Sequence, residues 1–236
     1  LPYPRFNPKK KEQISGGSHN MREDWLDRFK TIIIEGPIGV GKTSLTNKIA
    51  NKYSLTSLLE AADENPFLKN FYVDSKKFAF PTQLFFLFQR LEQIKNYSQR
   101  DLFAENIISD FMLEKDPIFA SLTLNDDELS LYHKIYRSQT SQSPLPDFVI
   151  YLQASPEELF KRINKRGNQM EMNISIEYLQ RLCEAYNKFF YQYSVSPLLV
   201  VNTAFFNPID NEKDFDSFVH QISTLRGGRN FFSSRK

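Results

Sequence analysis

Short apolar runs alternate with longer amphipathic stretches from residue 31 to the C-terminal part of the chain. The apolar runs suit strands that are buried on both faces of a sheet. Strands are predicted at residues 31–35, 55–59, 106–109, 148–152 and 198–201. Helices are predicted at residues 42–53, 65–75, 80–99, 126–139, 155–166, 174–194 and 211–224. This alternation predicts an α/β fold in which a doubly wound, five-stranded parallel sheet has helices on both faces.

The two ends of the chain lack this pattern. Residues 1–28 contain scattered prolines, a KKKE charge run and the stretch SGGSHN, which favours a disordered tail, a linker or a remnant of a fusion. Residues 226–236 are assigned to a C-terminal tail. At 236 residues the chain is long enough for one α/β domain, and we expect that domain at residues 29–225.

A glycine-rich stretch follows the first predicted strand and opens a helix. Residues 36–43 read GPIGVGKT and fit the phosphate-binding pattern G-x-x-x-x-G-K-[ST]. The glycines let backbone N–H groups curl around a phosphate, and Lys42 adds positive charge. The residues expected to bind ATP are Gly36, Pro37, Ile38, Gly39, Val40, Gly41, Lys42, Thr43 and Ser44. In its strand-to-helix setting the motif predicts a site for nucleotide phosphates.

Thr43 and Asp110 are the candidate magnesium ligands. A threonine hydroxyl at this point of the loop can ligate Mg²⁺. Asp110 follows the third predicted strand, where P-loop enzymes place an acid beside the metal, although aspartate also ends strands for reasons of turn geometry alone. We therefore expect ATP and Mg²⁺ as cofactors.

Composition narrows the classes that share this loop. The formal net charge of +2 does not indicate a nucleic-acid partner, and no apolar run approaches the roughly 20 residues of a membrane span. The single cysteine, Cys183, excludes an intrachain disulfide and agrees with a cytoplasmic location. NKYS at residues 51–54 and NKRG at residues 164–167 lack the aspartate of a guanine-reading Asn-Lys-x-Asp element, and translocating ATPases need a longer chain. A small-molecule kinase is the class that is left.

A kinase needs groups that bind and activate the acceptor. Glu60 ends the second predicted strand, where its carboxylate could take the proton of an attacking hydroxyl; a solvated acid is the alternative. Gln83 and Arg90 are seven residues apart on one predicted helix and share a face. The amide suits a base edge and the guanidinium a sugar or phosphate, with an ordinary surface position as the alternative.

Cations gather at the end of the helix predicted at residues 155–166. The sequence LFKRINKRG contains Lys161, Arg162, Lys165 and Arg166. One interpretation is that they satisfy the helix dipole and its last carbonyls. The other is that they form a lid, which closes over the transferring phosphate and neutralises its charge.

Six blocks of the sequence, in order and with matching spacing, resemble the deoxynucleoside kinase family, most closely its bacterial deoxyadenosine/deoxyguanosine kinase branch. The blocks are IIIEGPIGVGKTSL, ENPFLKNFY, QLFFLFQR, DFVIYLQASPEELFKRINKRG, EYLQRL and PLLVVNT, within residues 31–222. The resemblance implies the three-layer fold of P-loop kinases with a cationic lid. It also implies a homodimer.

The resemblance implies roles in phosphoryl transfer for five residues. Glu60 matches the family's general base for the 5′-hydroxyl, and Lys42 is the lysine of the phosphate loop. Arg90 matches an arginine near the 5′ end of the substrate. Arg162 and Arg166 match arginines of the lid.

Four further residues match positions that bind the nucleoside. Tyr72 matches the tyrosine that contacts the 3′-hydroxyl, with Glu171 as its usual partner. Gln83 matches the amide that reads the base, and Phe119 matches an aromatic residue that stacks on the base. These matches imply a deoxynucleoside substrate.

The chain departs from the family after the third predicted strand. Many members carry an acidic-Arg-Ser triplet there, whereas this chain has Asp110, Phe111 and Met112. Asp110 can replace the acid and is counted with the substrate-binding residues, but Phe111 cannot replace the arginine. Lys115 or a cation of the lid is a candidate to replace the missing arginine. The alternative is that the mechanism tolerates the absence of this arginine. In the lid block, Asn168 stands where a third cation is common.

Together these features predict ATP-dependent phosphorylation of the 5′-hydroxyl of a deoxynucleoside, deoxyadenosine before deoxyguanosine, for nucleotide salvage. A nucleoside monophosphate kinase such as thymidylate kinase is the alternative within the same class, and the missing arginine argues against it. A non-catalytic nucleotide-binding module of a fusion protein is the alternative from another class. No nucleic-acid or membrane partner is expected.

Overall fold

The computed structural model describes residues 24–100, 106–141, 143–204 and 206–232, with the backbone alone for residues 98–100. The helices in these ranges are α1 (Asp24–Arg28), α2 (Lys42–Tyr53), α3 (Leu68–Phe71), α4 (Ser75–Arg100), α5 (Asp116–Thr123), α6 (Asp126–Thr140), α7 (Pro156–Arg166), α8 (Ile176–Gln192) and α9 (Glu212–Thr224). The strands are β1 (Thr31–Glu35), β2 (Thr56–Leu58), β3 (Ile107–Ser109), β4 (Phe148–Gln153), β5 (Leu198–Asn202) and β6 (Arg229–Phe232).

The strands form one parallel sheet in the order β2-β3-β1-β4-β5-β6. β1 lies between β3 and β4, so that Ile33 has Ser109 on one side and Val149 on the other. In such sheets ligands bind beyond the carboxyl ends of the strands, near the point where the strand order changes direction. At β1 that end is Glu35, and the glycine-rich loop follows it directly.

Helices cover both faces of the sheet, and successive strand residues divide between two cores. Ile32 and Ile34 of β1 belong to the core that includes Leu45 of α2. Ile33 between them belongs to the other core, which includes Tyr186 of α8. The strands are therefore buried on both faces, which explains their apolar runs and confirms the predicted three-layer α/β fold.

The predicted number of strands is one too low. Arg229–Phe232 form β6, which pairs in parallel with β5, within the segment assigned to a C-terminal tail. This strand lies at the edge of the sheet, and its residues alternate between exposed and half-buried positions. It therefore lacks the continuous apolar run that identifies a central strand.

The N-terminal segment predicted as a tail includes a folded helix, α1. Trp25 of this helix is fully buried and packs edge-on against Tyr53 of α2. Five residues are too few for a helical period to be recognised in the sequence. Residues 1–23 of the predicted tail lie outside the described residues.

Three helix predictions are corrected by the structure. α4 begins at Ser75 and contains Pro81, a residue that the sequence pattern favours at a helix start because proline lacks an N–H group. The helix predicted at residues 65–75 is reduced to α3, and the short helix α5 was not predicted. None of the described helices has the length and apolar character that crossing a membrane requires.

Candidate functional site

The loop between β1 and α2 has the geometry of a phosphate site. Gly41 has φ 102° and precedes α2, whose first turn receives no hydrogen bond from a capping side chain. The first backbone N–H groups of the helix therefore remain available for an anion. Gly36 lies against the end of β4, where a Cβ atom would be only 2.5 Å from the carbonyl oxygen of Leu152. Glycine at position 36 thus allows the loop to pack closely on the sheet.

Lys42 folds back over this loop. Its Nζ donates hydrogen bonds to the carbonyl oxygens of Gly36 at 2.8 Å and Pro37 at 3.3 Å. Burial lowers the pKa of Lys42, while attraction to Glu35 opposes this shift. The ammonium group is therefore held against the phosphate loop, in a buried setting that favours an added negative charge.

Asp110 connects the phosphate loop to the end of β2. One of its oxygens accepts a hydrogen bond of 2.5 Å from the Thr43 hydroxyl, and the other accepts one of 2.7 Å from the backbone N–H of Glu60. The aspartate is almost fully buried. A hydroxyl and a carboxylate are thereby brought together beside the loop, as the sequence predicts for a magnesium site.

The donor set is small, and it fits magnesium better than a metal held by protein alone. No cluster of three or more histidine, cysteine, aspartate or glutamate side chains suited to a metal ion occurs in the described part of the chain. Mg²⁺ in kinases is bound by one or two carboxylates together with substrate phosphates and water. Thr43 and Asp110 meet that requirement.

Each carboxylate oxygen of Glu60 contacts a different cationic side chain. Oε1 accepts a hydrogen bond from Nη2 of Arg90, and Oε2 lies 3.1 Å from Nζ of Lys115. Burial by itself raises the pKa of Glu60, but attraction to Arg90, Lys115 and Lys42 outweighs burial and leaves the pKa well below its usual range. The carboxylate is therefore ionised at neutral pH.

Arg90 is held from its other side by an aspartate. Its Nη1 donates to Oδ1 of Asp116, and the arginine side chain is 5% exposed and that of Asp116 1%. The guanidinium thus bridges Glu60 and Asp116 in the interior of the protein. Two carboxylates around one buried cation fix the orientation of Arg90 toward Glu60.

A cavity of about 180 Å³ opens beside these charges, between α4, α5 and α8. All seven predicted substrate-binding residues line it: Glu60, Tyr72, Gln83, Arg90, Asp110, Phe119 and Glu171. Gln83 is 4% exposed, and no described residue makes a hydrogen bond to its amide. A buried amide with free donors and acceptors at a cavity wall is suited to the edge of a ligand.

Tyr72, Glu171 and Arg166 are neighbours in the wall of this cavity. Arg166 donates a hydrogen bond to Oε2 of Glu171. Burial raises the pKa of Tyr72 well above its usual range, and the neighbouring Tyr178 and Glu171 add to this effect. The Tyr72 hydroxyl therefore stays protonated and can donate a hydrogen bond to a ligand oxygen.

The two predicted lid arginines face different cavities. Arg166 lines the cavity with Glu60, whereas Arg162 lines a cavity of about 510 Å³ on the other side of the phosphate loop. Arg162 donates to the carbonyl oxygens of Val40 and Thr203 at 3.3 and 2.9 Å. α7 packs directly on the loop, so arginines one turn apart reach opposite sides of it. The structure therefore does not bring Arg162 to Glu60.

Phe111, at the position of the missing arginine, points away from Glu60. It is 2% exposed and lines a largely apolar cavity between the sheet, α4 and α6, with Ile94 and Leu113 among its neighbours. A side chain in this direction cannot supply a cation to the site. Asp110, the residue before it, does reach the site, in agreement with the sequence prediction.

Three charged residues of the site gave weak or no signal in the sequence. Asp116 pairs with a residue 26 positions earlier, and Lys115 with one 55 positions earlier, so no local spacing reveals these contacts. Glu35 is fully buried and accepts hydrogen bonds from the N–H groups of Gly36 and Met112 and from the Tyr186 hydroxyl. An acidic residue directly after three isoleucines of a buried strand was the available signal for Glu35.

Several known proteins are similar to this chain over most of its length. Residues 32–226 match the family model for deoxynucleoside kinases. The deoxyguanosine kinase of Bacillus subtilis (strain 168) is 35% identical over 199 residues, which cover 82% of this chain and 96% of the relative. The deoxyadenosine kinase of Dictyostelium discoideum is 31% identical over 205 residues, which cover 81% of this chain and 82% of the relative.

Solved structures show the same similarity in three dimensions. The structure of deoxyadenosine kinase from M. mycoides with bound dATP has a TM-score of 0.72 and 28% sequence identity, and the match covers 82% of this chain and 98% of that one. Its counterpart with bound dCTP has a TM-score of 0.70 and 27% identity. The likeness extends over nearly the whole folded part of the chain.

Proposed function

Because this chain belongs to the deoxynucleoside kinase family, we propose that it transfers the γ-phosphoryl group of ATP to the 5′-hydroxyl of a purine deoxynucleoside. The observation that carries the proposal is the connection from Thr43 through Asp110 to Glu60. A group that handles phosphate and a carboxylate that can activate a hydroxyl are thereby fixed to the same aspartate. That juxtaposition is what phosphoryl transfer requires.

Donor binding is assigned to the phosphate loop and the larger cavity beside it. The N–H groups at the start of α2 and the Lys42 ammonium face the phosphates, and Arg162 lies at the wall of the cavity of about 510 Å³. Mg²⁺, when bound at Thr43 and Asp110, would neutralise charge on the phosphates. Arg166 faces the acceptor side of the loop. The two lid arginines thus act from opposite sides of the transferring group.

Glu60 is assigned the role of general base. Its carboxylate accepts the proton of the 5′-hydroxyl as the hydroxyl oxygen bonds to the γ-phosphorus and the bond to the β–γ bridging oxygen breaks. The products are a deoxynucleoside 5′-monophosphate and ADP. Arg90 stabilises the ionised carboxylate before transfer, since its guanidinium contacts Oε1.

Nucleoside recognition is assigned to other residues of the acceptor cavity. The free amide of Gln83 would read the base edge, Phe119 would pack on the base, and Tyr72 with Glu171 would contact the 3′-hydroxyl. The names of the relatives include deoxyguanosine kinase and deoxyadenosine kinase, which supports a purine. Deoxyadenosine remains the predicted first choice, with deoxyguanosine as its direct competitor.

Steady-state assays with ATP and MgCl₂ test the proposal on the four deoxynucleosides, adenosine and the matching deoxynucleoside monophosphates. We expect the highest kcat/KM for deoxyadenosine or deoxyguanosine and no turnover of monophosphates. A preference for monophosphates would reverse the assignment of the acceptor. Absence of transfer to every acceptor would leave a nucleotide-binding module without kinase activity.

A homodimer in the cytoplasm completes the proposal. Phe88 of α4 and Leu131 of α6 are 48% and 49% exposed. Each lies one helical turn from residues of the apolar cluster that α4 and α6 share, Leu84 and Leu91 beside Phe88 and Ile135 beside Leu131. Large apolar side chains around one helix pair favour a contact with a second copy. A cytoplasmic location agrees with the supply of ATP there.

A further inference from the structure

Lys115 is a buried lysine whose partners are both carboxylates. Its side chain is 3% exposed, and Nζ lies 3.1 Å from Oε2 of Glu60 and 3.8 Å from Oε2 of Glu35. Burying an ammonium group without partners would cost free energy. The two carboxylates offset that cost and allow Lys115 to be buried. Lys115 also lines the acceptor cavity.

Glu35 gives Lys115 a fixed anchor. The carboxylate of Glu35 accepts hydrogen bonds from Gly36 N–H at 2.9 Å, from Met112 N–H at 3.2 Å and from the Tyr186 hydroxyl at 3.1 Å. These donors come from the phosphate loop, from the turn after β3 and from α8. The Glu35 carboxylate is therefore held in place independently of Lys115. Lys115 is therefore held in place on the side away from Glu60.

Charge balance indicates what the site would lose without this lysine. The carboxylate of Glu60 interacts with three cations, those of Arg90, Lys115 and Lys42. Arg166, which also lines the acceptor cavity, is paired with Glu171. Without Lys115, Glu60 would therefore lose one of its three cations beside the position of the transferring phosphoryl group. The uncompensated negative charge of the carboxylate would repel the phosphoryl group of ATP and disfavour attack on it.

The two cationic side chains that contact Glu60 differ in whether they leave a carboxylate oxygen accessible to the substrate hydroxyl. Arg90 shares its guanidinium with Asp116 and can keep that contact when a hydroxyl approaches Oε1. Lys115 contacts Oε2 of Glu60 and also lies 3.8 Å from Glu35, the residue that precedes the phosphate loop. An approaching hydroxyl would therefore meet Oε1, while Oε2 stays fixed.

We propose that Lys115 is the positioning residue for Glu60 in phosphoryl transfer, and that it supplies from position 115 the positive charge that Phe111 cannot supply. This rests on the proposed function, in which Glu60 is the general base. Lys115 orients the Glu60 carboxylate toward the attacking hydroxyl and offsets the negative charge of that carboxylate. The turn Leu113–Lys115 carries the chain back to Glu60 after Phe111 has turned into the apolar cavity.

The test compares Lys115→Met with Lys115→Arg in the full chain, after thermal unfolding has shown which variants are folded. We expect Lys115→Met to lower kcat about 100-fold, because misplacing a reacting group by about 1 Å can cost that much. The KM for the nucleoside should change by less than about threefold, since Lys115 acts through Glu60 and not on the base. Lys115→Arg, which keeps the charge, should retain most of kcat.

Lys48→Met is the matched control. Lys48 is a lysine with an ion pair of 2.6 Å to Glu212, away from the acceptor cavity, so its loss should leave kcat unchanged. Unchanged kcat in Lys115→Met, or an equal loss in Lys115→Met and Lys115→Arg, would overturn the role of Lys115. An inactive parent protein with every deoxynucleoside would instead overturn the proposed function.

A double-mutant cycle keeps the proposal falsifiable even where the methionine variant does not fold. Glu60→Gln with Lys115→Met removes both charges of this pair, so Glu60 is not left as a carboxylate without its lysine, and Glu35 keeps its three hydrogen bonds. If Lys115 acts through Glu60, the double variant has the kcat of Glu60→Gln alone. A double variant that is a further 100-fold slower would show an independent role and contradict the proposal.

Discussion

Glu60 is the residue at which the donor and acceptor sides of the site meet. Its backbone N–H is tied to Asp110, its Oε1 to Arg90 and its Oε2 to Lys115. Each contact comes from a different part of the chain, so the position of the carboxylate is determined more tightly than that of a solvated acid. A fixed, ionised carboxylate beside the phosphate loop is what the proposed base requires.

Glu60→Gln tests this role at the scale of one residue. The amide keeps the size of the side chain but cannot accept the proton, so we expect kcat to fall about 10³-fold, within the range for loss of a general base. Calorimetric affinity for the nucleoside should stay close to that of the parent. Glu92→Gln, at an exposed position of α4, should have parent kinetics. A near-normal kcat in Glu60→Gln would remove the base from the proposed mechanism.

Individual site residues were predictable where the signal was local. Glu60 and Asp110 follow strands, and the ends of neighbouring parallel strands meet at one edge of a sheet. The contacts of Arg90 with Asp116 and of Glu60 with Lys115 were not predictable, because they depend on how α4 and the turn before α5 pack. The opposite directions of Arg162 and Arg166 likewise follow from the placement of α7 on the loop.

The phosphate loop works as an element because α2 begins without a capping side chain and β4 ends directly beneath Gly36. The open helix start leaves N–H groups for phosphate, and the close contact with β4 keeps the loop in place. Strand, loop and helix are adjacent in sequence. That is why this element was predicted correctly. β6, which pairs with β5, was missed because its sequence lacks a continuous apolar run.

Gly36→Ala tests the contact between loop and sheet. A Cβ at position 36 would lie 2.5 Å from the Leu152 carbonyl oxygen, so the loop must shift. We expect the free energy of unfolding to fall by about 2 kcal/mol more than in the control, the size typical of an overpacked contact. Gly227→Ala is the control, since Gly227 also has positive φ but no atom within 4 Å of the added Cβ.

Chemical denaturation measures both variants, and the KM for ATP is determined in parallel. We expect a raised KM for ATP in Gly36→Ala and a parent value in Gly227→Ala. Equal stability and equal KM in the two variants would show that the loop does not depend on its contact with β4.

At the scale of the whole molecule, the sheet order places the site. β1 lies between β3 and β4, so the phosphate loop has the end of β3 on one side and that of β4 on the other. The cavity with Glu60 and the larger cavity with Arg162 accordingly lie on opposite sides of the loop. Two substrates could thus approach one phosphoryl group from two directions. The parallel arrangement was predictable from the alternation of elements, whereas the depth and lining of the cavities depend on side-chain packing.

Phe88→Glu tests the proposed dimer. A charge on the exposed apolar face of α4 and α6 should prevent a second copy from packing there, so light scattering should give the mass of a monomer. Phe231→Glu is the control, because Phe231 is another exposed phenylalanine, on β6 at the sheet edge. A dimeric Phe88→Glu variant would show that this face is not the interface.

Phosphorus NMR of the product gives the most direct test of the central claim, that a deoxynucleoside 5′-hydroxyl receives the γ-phosphoryl group of ATP. The protein is incubated with ATP, Mg²⁺ and deoxyadenosine or deoxyguanosine, and the coupling of phosphorus to deoxyribose protons locates the new bond. We expect one product whose phosphorus couples to the 5′ protons, formed in equal amount with ADP, and hardly any product from Glu60→Gln. Coupling to the 3′ proton, or ADP formed without a nucleotide product, would contradict the account.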